Sequence, residues 1–178
     1  MSQQEIKVAV GKMVEAATAN PKSGQFKYKV STNWENDVRT SAKIRNFPEL
    51  TVDEPPPFGG SDLGPSPVEL VLAALGTCQE IMYAALASAM DIPLEKCKVD
   101  LEGDLDVRGL LGLGAEDNIP PGFTQISYKT SIESPASEEQ LQQLADAVNQ
   151  QCPVLDMLLR NVEVTKDVVI NGASTKAA

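Results

Sequence analysis

The chain is predicted to fold as one α+β domain, and three observations carry that expectation. Residues 66–90 are apolar on nearly every helical face, which marks a long central helix. Residues 95–107 and 123–133 alternate apolar and polar side chains with the period of a strand. No internal repeat or domain-scale linker divides the 178 residues, a length that suits one domain with a substantial core.

The elements follow in order. Ile6, Val10, Met13, Val14 and Ala17 recur at helical spacing over 3–19, and Asn20-Pro21 with Ser23-Gly24 ends that run. Residues 1–24 are therefore read as an N-terminal helical extension. In 25–53 the period changes. Phe26, Tyr28 and Val30 alternate with polar residues, Val38 and Ile44 do so less strictly, and Asn36-Asp37 supplies a turn, which predicts a hairpin or short meander. Residues 54–65 hold four prolines and three glycines and are predicted to be a loop, long enough to serve a site.

Ser66 is a suitable N-cap for the central helix. Pro67 suits its first position, and Glu69 completes a Ser-x-x-Glu capping box. Val68, Val71, Leu72, Leu75, Met82, Ala85, Leu86 and Ala89 repeat along it at helical intervals. A domain of this size wraps such a helix only with difficulty, so a partner subunit is expected. After the strand at 95–107, the glycines and prolines of 108–121 predict a loop, and 123–133 a second strand through Phe123, Ile126, Tyr128 and Ile132. Ser137-x-x-Gln140 is a second capping box, opening a helix with Leu141, Leu144, Ala145 and Val148 on one face. Cys152-Pro153 opens a short helix through Arg160. Val162, Val164, Val168 and Ile170 predict a last strand, and 173–178 a frayed tail.

Composition excludes several function classes. The net charge of −10 disfavours nucleic acid and anionic membranes as partners, and 4% aromatics leave little for base stacking. With no histidine, a Cys–His protease, a Ser–His–Asp hydrolase and any imidazole site are ruled out. Three cysteines do not form a disulfide scaffold, and Met1-Ser2-Gln3-Gln4-Glu5 lacks the basic start of a secretion signal. The longest apolar stretch contains Glu69, Gln79 and Glu80 and is expected to fall short of a membrane span. A cytoplasmic protein in a reducing compartment follows as the expectation.

Thiol chemistry is then the main nucleophilic chemistry available. Cys78 lies on the central helix, where a buried cysteine often only packs. Gly76-Thr77 beside it permit close approach of a substrate or another chain. Cys152 precedes the proline that starts a helix, so its sulfur is expected near unpaired N–H groups that favour a thiolate; the plainer alternative is a neutral cap. Cys97 alternates with charged residues and reads as an inward-facing packing residue. Arg39 and Arg45 are candidates to stabilise a thiolate, although strand arginines are usually solvated. Glu69 has a full structural explanation in its capping box. A three-cysteine zinc site has weak support without C-x-x-C or histidine, and Gly59-Gly60 lacks the lysine and spacing of a phosphate loop, so neither metal nor cofactor is expected.

Pro67-Val68-Glu69-Leu70-Val71-Leu72-Ala73-Ala74-Leu75-Gly76-Thr77-Cys78 resembles the first cysteine motif of the OsmC/Ohr superfamily of thiol peroxidases, and Cys152-Pro153-Val154 resembles its second. Gly59-Gly60 and Gly64-Pro65-Ser66-Pro67 are similar to the loop before its central helix, and the order of elements agrees over 25–172. The resemblance implies an OsmC-like fold in an intertwined homodimer, with antiparallel sheets packed around long central helices. It implies that Cys78 attacks an organic hydroperoxide and becomes a sulfenic acid, that Cys152 condenses with it to a disulfide, and that a dithiol reductant reopens that bond. It also implies an arginine–glutamate pair at the thiolate. Arg39 (or Arg45) and Glu69 are the candidates, although the family glutamate precedes its cysteine by ten positions, where this chain has Val68. Glu69 is about 100° further round the helix. In this respect the chain resembles the broader OsmC-like branch. The alternative reading is a non-enzymatic dimer that binds an apolar small ligand at the subunit interface.

Overall fold

A computed structural model describes residues 2–171 and 173–175. Its central helix, α2 (Pro67–Ala89), starts at the capping box read from the sequence. The Ser66 hydroxyl accepts the Glu69 N–H, and the Glu69 carboxylate accepts the Ser66 N–H at 2.7 Å. These bonds satisfy donors that a helix start otherwise leaves open.

Around α2 lie α1 (Gln3–Ala19), a hairpin and third strand β1 (Val30–Asn36), β2 (Arg39–Ile44) and β3 (Leu50–Val52), the long pair β4 (Lys96–Leu105) and β5 (Phe123–Glu133), a one-turn α3 (Val107–Leu110), α4 (Glu138–Gln151), α5 (Pro153–Leu159), and a short pair β6 (Val168–Ile170) and β7 (Ala173–Thr175). All pairings are antiparallel. β4 and β5 meet in the register Cys97 to Ile132 and Leu101 to Tyr128, so the alternation seen in each segment points one face toward α2. Gly76 lets α2 approach that face: a Cβ there would lie 2.7 Å from Leu101 Cδ1. α2 also packs on α4, and Tyr83, Ala87, Ile92, Leu144 and Val148 form the buried core between them.

The Pro/Gly loop is tied down by Asp53, which is 2% exposed and accepts N–H bonds from Glu54, Ser61 and Leu63. Burial pushes this carboxyl up, but those three bonds, helped by the charge of Arg39, hold it below its ordinary value. Gly60 passes so close to the Glu54 carbonyl that a Cβ would overlap it.

Several expectations shift. Strand β1 begins at Val30, so Phe26 and Tyr28 precede it and are exposed; the pairing partner, β2, ends at Ile44 opposite Val30. Residues 161–167 form no strand, and only Val168–Ile170 pair, with Ala173–Thr175; residues 176–178 of the expected tail lie outside the described residues. Helix α3 occupies the start of the segment read as loop, capped by the Asp106 carboxylate on the Arg108 N–H. α2 also corrects the reading that its stretch falls short of a membrane span, because by length and composition it meets that threshold. Of its polar residues, Glu80 accepts the Val99 N–H of β4 at 3.2 Å, whereas Gln79 is fully buried with neither its amide oxygen nor its amide nitrogen hydrogen-bonded among the described residues. Only 28% of the most apolar stretch of α2 is buried within the chain.

Candidate active site

The site forms where α2 meets the junction of α4 and α5. Cys152 terminates one helix and begins the next: its N–H donates to Val148 O at 2.9 Å, and its carbonyl accepts the Asp156 N–H at 3.0 Å. The antiparallel packing of α4 on α2 turns the Cys152 side chain toward the middle of α2. There its thiol donates to Cys78 Sγ at 3.4 Å, joining residues 74 positions apart in the chain. Both are free thiols. Cys152 is 0% exposed, and Cys78 is half-buried. A disulfide needs the sulfurs at about 2.05 Å, so oxidation requires an approach of roughly 1.3 Å, within reach of side-chain rotation and a small shift of α5.

The start of α5 serves the other sulfur from the one its sequence position favours. Pro153 occupies the first helical position and has no N–H, so Val154 carries the first free donor, and it hydrogen-bonds the Cys78 sulfur. The Cys152 side chain makes no capping bond to α5. Burial pushes the Cys78 thiol up, the Val154 N–H draws it back, and the hydrogen bond and charge of Cys152 raise it again; the net direction is up. Sequence reasoning missed Val154. The signal was present in Cys-Pro-Val, since a proline at the first position hands the helix's anion-binding donor to the next residue.

Between α2, β5 and α5 runs a largely apolar groove of about 380 Å³, lined by Leu75 of α2, by Phe123, Thr124, Gln125, Ile126 and Tyr128 of β5, and by Leu155, Leu158 and Leu159 of α5. Leu75 lies one helical turn before Cys78 and Leu155 three positions after Cys152, though neither cysteine lines the groove itself.

The other candidates lie elsewhere in this chain. Arg39 donates to Glu35 at 3.2 Å and helps hold Asp53 ionised. The Arg45 guanidinium stacks over Phe47, 4.7 Å from the ring centre. Neither is among the groups acting on the Cys78 thiol. Glu69 is engaged by Ser66, whose N–H and then hydroxyl hold its carboxyl below the ordinary value. Cys97 packs against the core, and burial, with the Glu80 charge, pushes its thiol up. Among the described residues no group of three cysteine or carboxylate side chains converges as a metal-ligand set.

The Glu69 geometry yields a prediction. Glu69→Gln keeps a side chain able to complete the capping box and is expected to leave thiol oxidation by a hydroperoxide unchanged. Ser66→Ala is expected to cost about 1 kcal/mol in urea unfolding, as the loss of a cap does. A loss of about tenfold or more in the oxidation rate of Glu69→Gln would assign the carboxylate a task in proton transfer.

Fold and site together define an α+β protein whose central helix carries one cysteine against a second held at a helix junction. The family model for OsmC-like proteins matches residues 59–166, more than half of the chain. The chain belongs to the OsmC-like protein family. A hydroperoxide reductase of Mycoplasma genitalium is 26% identical over 132 residues, spanning 74% of this chain and 86% of that protein. The crystal structure of an OsmC-like protein from Mycoplasma pneumoniae superposes with a TM-score of 0.65 at 23% identity, covering 76% of this chain and 89% of that one. That of an organic hydroperoxide resistance protein, OsmC, from Legionella pneumophila does so with a TM-score of 0.57 at 16% identity, covering 75% and 91%.

Proposed function

We propose that the protein is a cysteine-dependent reductase of organic hydroperoxides. The observation that carries this reading is the 3.4 Å contact of the Cys78 and Cys152 sulfurs, and a largely apolar groove lies between the neighbouring α2, β5 and α5. The Mycoplasma genitalium relative named hydroperoxide reductase supports the substrate class. The Cys78 thiolate attacks the terminal peroxide oxygen, the O–O bond breaks, and the alcohol leaves once its oxygen gains a proton. Cys78 is now a sulfenic acid. The Cys152 sulfur displaces its hydroxyl as water and forms the disulfide, and a dithiol supplies the two electrons that reopen it. The Val154 N–H assists by holding negative charge on Cys78. The groove takes the organic part of the substrate.

The working unit in this proposal is a homodimer. Its support is the uncovered apolar surface: only 28% of the most apolar stretch of α2 is buried within the chain, and Trp34 of β1 is 71% exposed. Sedimentation at the mass of one 19.0 kDa chain would remove it.

The groove also favours a second reading, a dimer that holds an apolar ligand and performs no chemistry. One experiment separates the two. Fully reduced protein with its three free thiols is treated anaerobically with one equivalent of cumene hydroperoxide. Loss of the Cys78 and Cys152 thiols with Cys97 retained is expected. Three thiols remaining would end the reductase reading.

A further inference from the structure

We propose that the Cys152 thiol is the acid of the first step: it hands its proton to the departing alkoxide and so becomes the thiolate that closes the disulfide. This inference rests on the reductase reading and adds to it the source of the proton on which O–O cleavage depends.

An alkyl hydroperoxide parts at its O–O bond with the electron pair on an alkoxide, a strong base that leaves readily only when it is protonated. The chain has no histidine to supply that proton. Among the described residues, two groups bond the Cys78 sulfur, the Val154 N–H and the Cys152 thiol. A backbone amide holds negative charge but keeps its proton near neutral pH, whereas a thiol can release one. Tyr128, on the groove wall, donates its hydroxyl to Asn149 Oδ1 at 3.1 Å. Along α2, the Glu69 carboxylate is bonded by Ser66, and Glu80 accepts the Val99 N–H. An arginine brought by a partner subunit would hold charge without giving up a proton.

Cys152 also holds its proton in the right place. Once Cys78 is a thiolate, only Cys152 carries a hydrogen between the two sulfurs, so the 3.4 Å contact is an S–H···S⁻ bond. During attack the negative charge moves from the Cys78 sulfur, through the attacked oxygen, to the oxygen beyond it. The S–H follows that charge by turning about the Cys152 Cβ–Sγ bond. The backbone stays fixed by the Cys152 N–H on Val148 O and the Asp156 N–H on the Cys152 carbonyl. The departing oxygen carries the organic group, and the groove proposed to take that group is walled by Leu155, one turn into α5 from Cys152. Burial gives a second reason. Cys152 is 0% exposed within one chain, and a partner subunit can only cover it further. It has no solvent base to receive its proton, yet it must ionise to attack the sulfenic acid. The alkoxide is that base.

Cys78 first gives its proton to solvent. Its thiolate bonds to the terminal peroxide oxygen, which keeps its hydrogen, and the O–O bond breaks. The alkoxide takes the Cys152 proton and leaves as the alcohol. The Cys152 thiolate then bonds to the Cys78 sulfur and the S–O bond breaks. Hydroxide departs with the electron pair and gains a proton to replace the one Cys78 released. Hydroperoxide and two thiols have become alcohol, water and a disulfide, with two electrons passed from the sulfurs to the peroxide.

Two small oxidants separate this role from a structural one. tert-Butyl hydroperoxide expels an alkoxide that needs a proton, whereas peroxyacetic acid expels acetate, which does not. First-turnover oxidation of Cys78 is timed with each at neutral pH in wild type, Cys152→Ala and Cys152→Ser. A substitution changes the thiolate fraction of Cys78 equally for both oxidants, so the ratio of the two rates is free of it. The rate with tert-butyl hydroperoxide relative to that with peroxyacetic acid is expected to fall about 100-fold in Cys152→Ala, the size of a lost general acid. Cys152→Ser restores the shape but offers a far weaker acid, and nearly the same fall is expected. A ratio within about threefold of wild type in both variants overturns the proposal and leaves the reductase reading standing. Failure of tert-butyl hydroperoxide to oxidise Cys78 in the wild-type protein ends both.

Discussion

Cys78→Ser is expected to abolish consumption of cumene hydroperoxide, while Cys152→Ser consumes a single equivalent and then stops. Serine is nearly isosteric but is not ionised at neutral pH, so the first substitution removes the nucleophile while sparing the fold. The second leaves the nucleophile and takes away the thiol donated to it at 3.4 Å, so Cys78 is left as a sulfenic acid with no partner inside the chain. Excess hydroperoxide is then expected to carry Cys78 on to sulfinic acid, visible as a gain of two oxygen atoms by mass. A multiple-turnover rate in Cys152→Ser with a dithiol present, equal to that of the wild type, would show that Cys152 is not needed for resolution. Undiminished consumption by Cys78→Ser would move the chemistry elsewhere.

The pH dependence should be nearly as large. Only the thiolate attacks the peroxide, and burial leads the effects that raise the Cys78 thiol above its ordinary value of 9.0. Below a thiol's pKa the thiolate fraction grows tenfold for each pH unit. The second-order rate of Cys78 oxidation is therefore expected to rise by about 100-fold from pH 7 to pH 9, with no plateau in that interval. The sign is fixed by which form is favoured: a raised thiol pKa means the neutral form persists longer as pH increases. Stopped-flow measurement of the first turnover in Cys152→Ser reads the slope after removal of the neighbouring thiol, whose hydrogen bond and charge also raise Cys78. Loss of that neighbour is expected to shift the profile downward in pH. A plateau below pH 7 in the wild-type protein would require a cation at the sulfur that this chain's own fold does not place there. The arginine would then have to come from another subunit.

Much of this architecture was legible along the chain. The capping boxes Ser66–Glu69 and Ser137–Gln140 mark the starts of α2 and α4, because a cap is a bond between residues three apart and needs no distant partner. The alternation in β4 and β5 was readable for a similar reason: one face of each strand meets a core and the other does not. Phe26 and Tyr28 misled because alternation without a partner strand does not make a strand, and pairing of the early sheet begins only at Val30. The family resemblance joined Cys78 to Cys152, but spacing alone contained nothing of their contact. Reading the residues alone favoured Cys152 as the sulfur at a helix start, and the fold assigns that donor to Cys78 through Val154. Arg39 and Glu69, suggested by region and by motif, are held by Glu35 and Ser66, neighbours four and three positions away.

The chain by itself determined its caps, its strand periods, its lack of imidazole and the identity of its two motif cysteines. Each of these is a matter of residue type or of interactions within a few positions, where chain geometry leaves little freedom. Only the tertiary structure decided that the sulfurs meet, which of them is fully buried, and which receives the amide of Val154. Those outcomes depend on how α4 lies against α2, an arrangement set by burial of Leu144, Val148 and Tyr83 across many tens of residues. Hydrophobic packing is non-directional, so its result can be read only once all the surfaces are assembled.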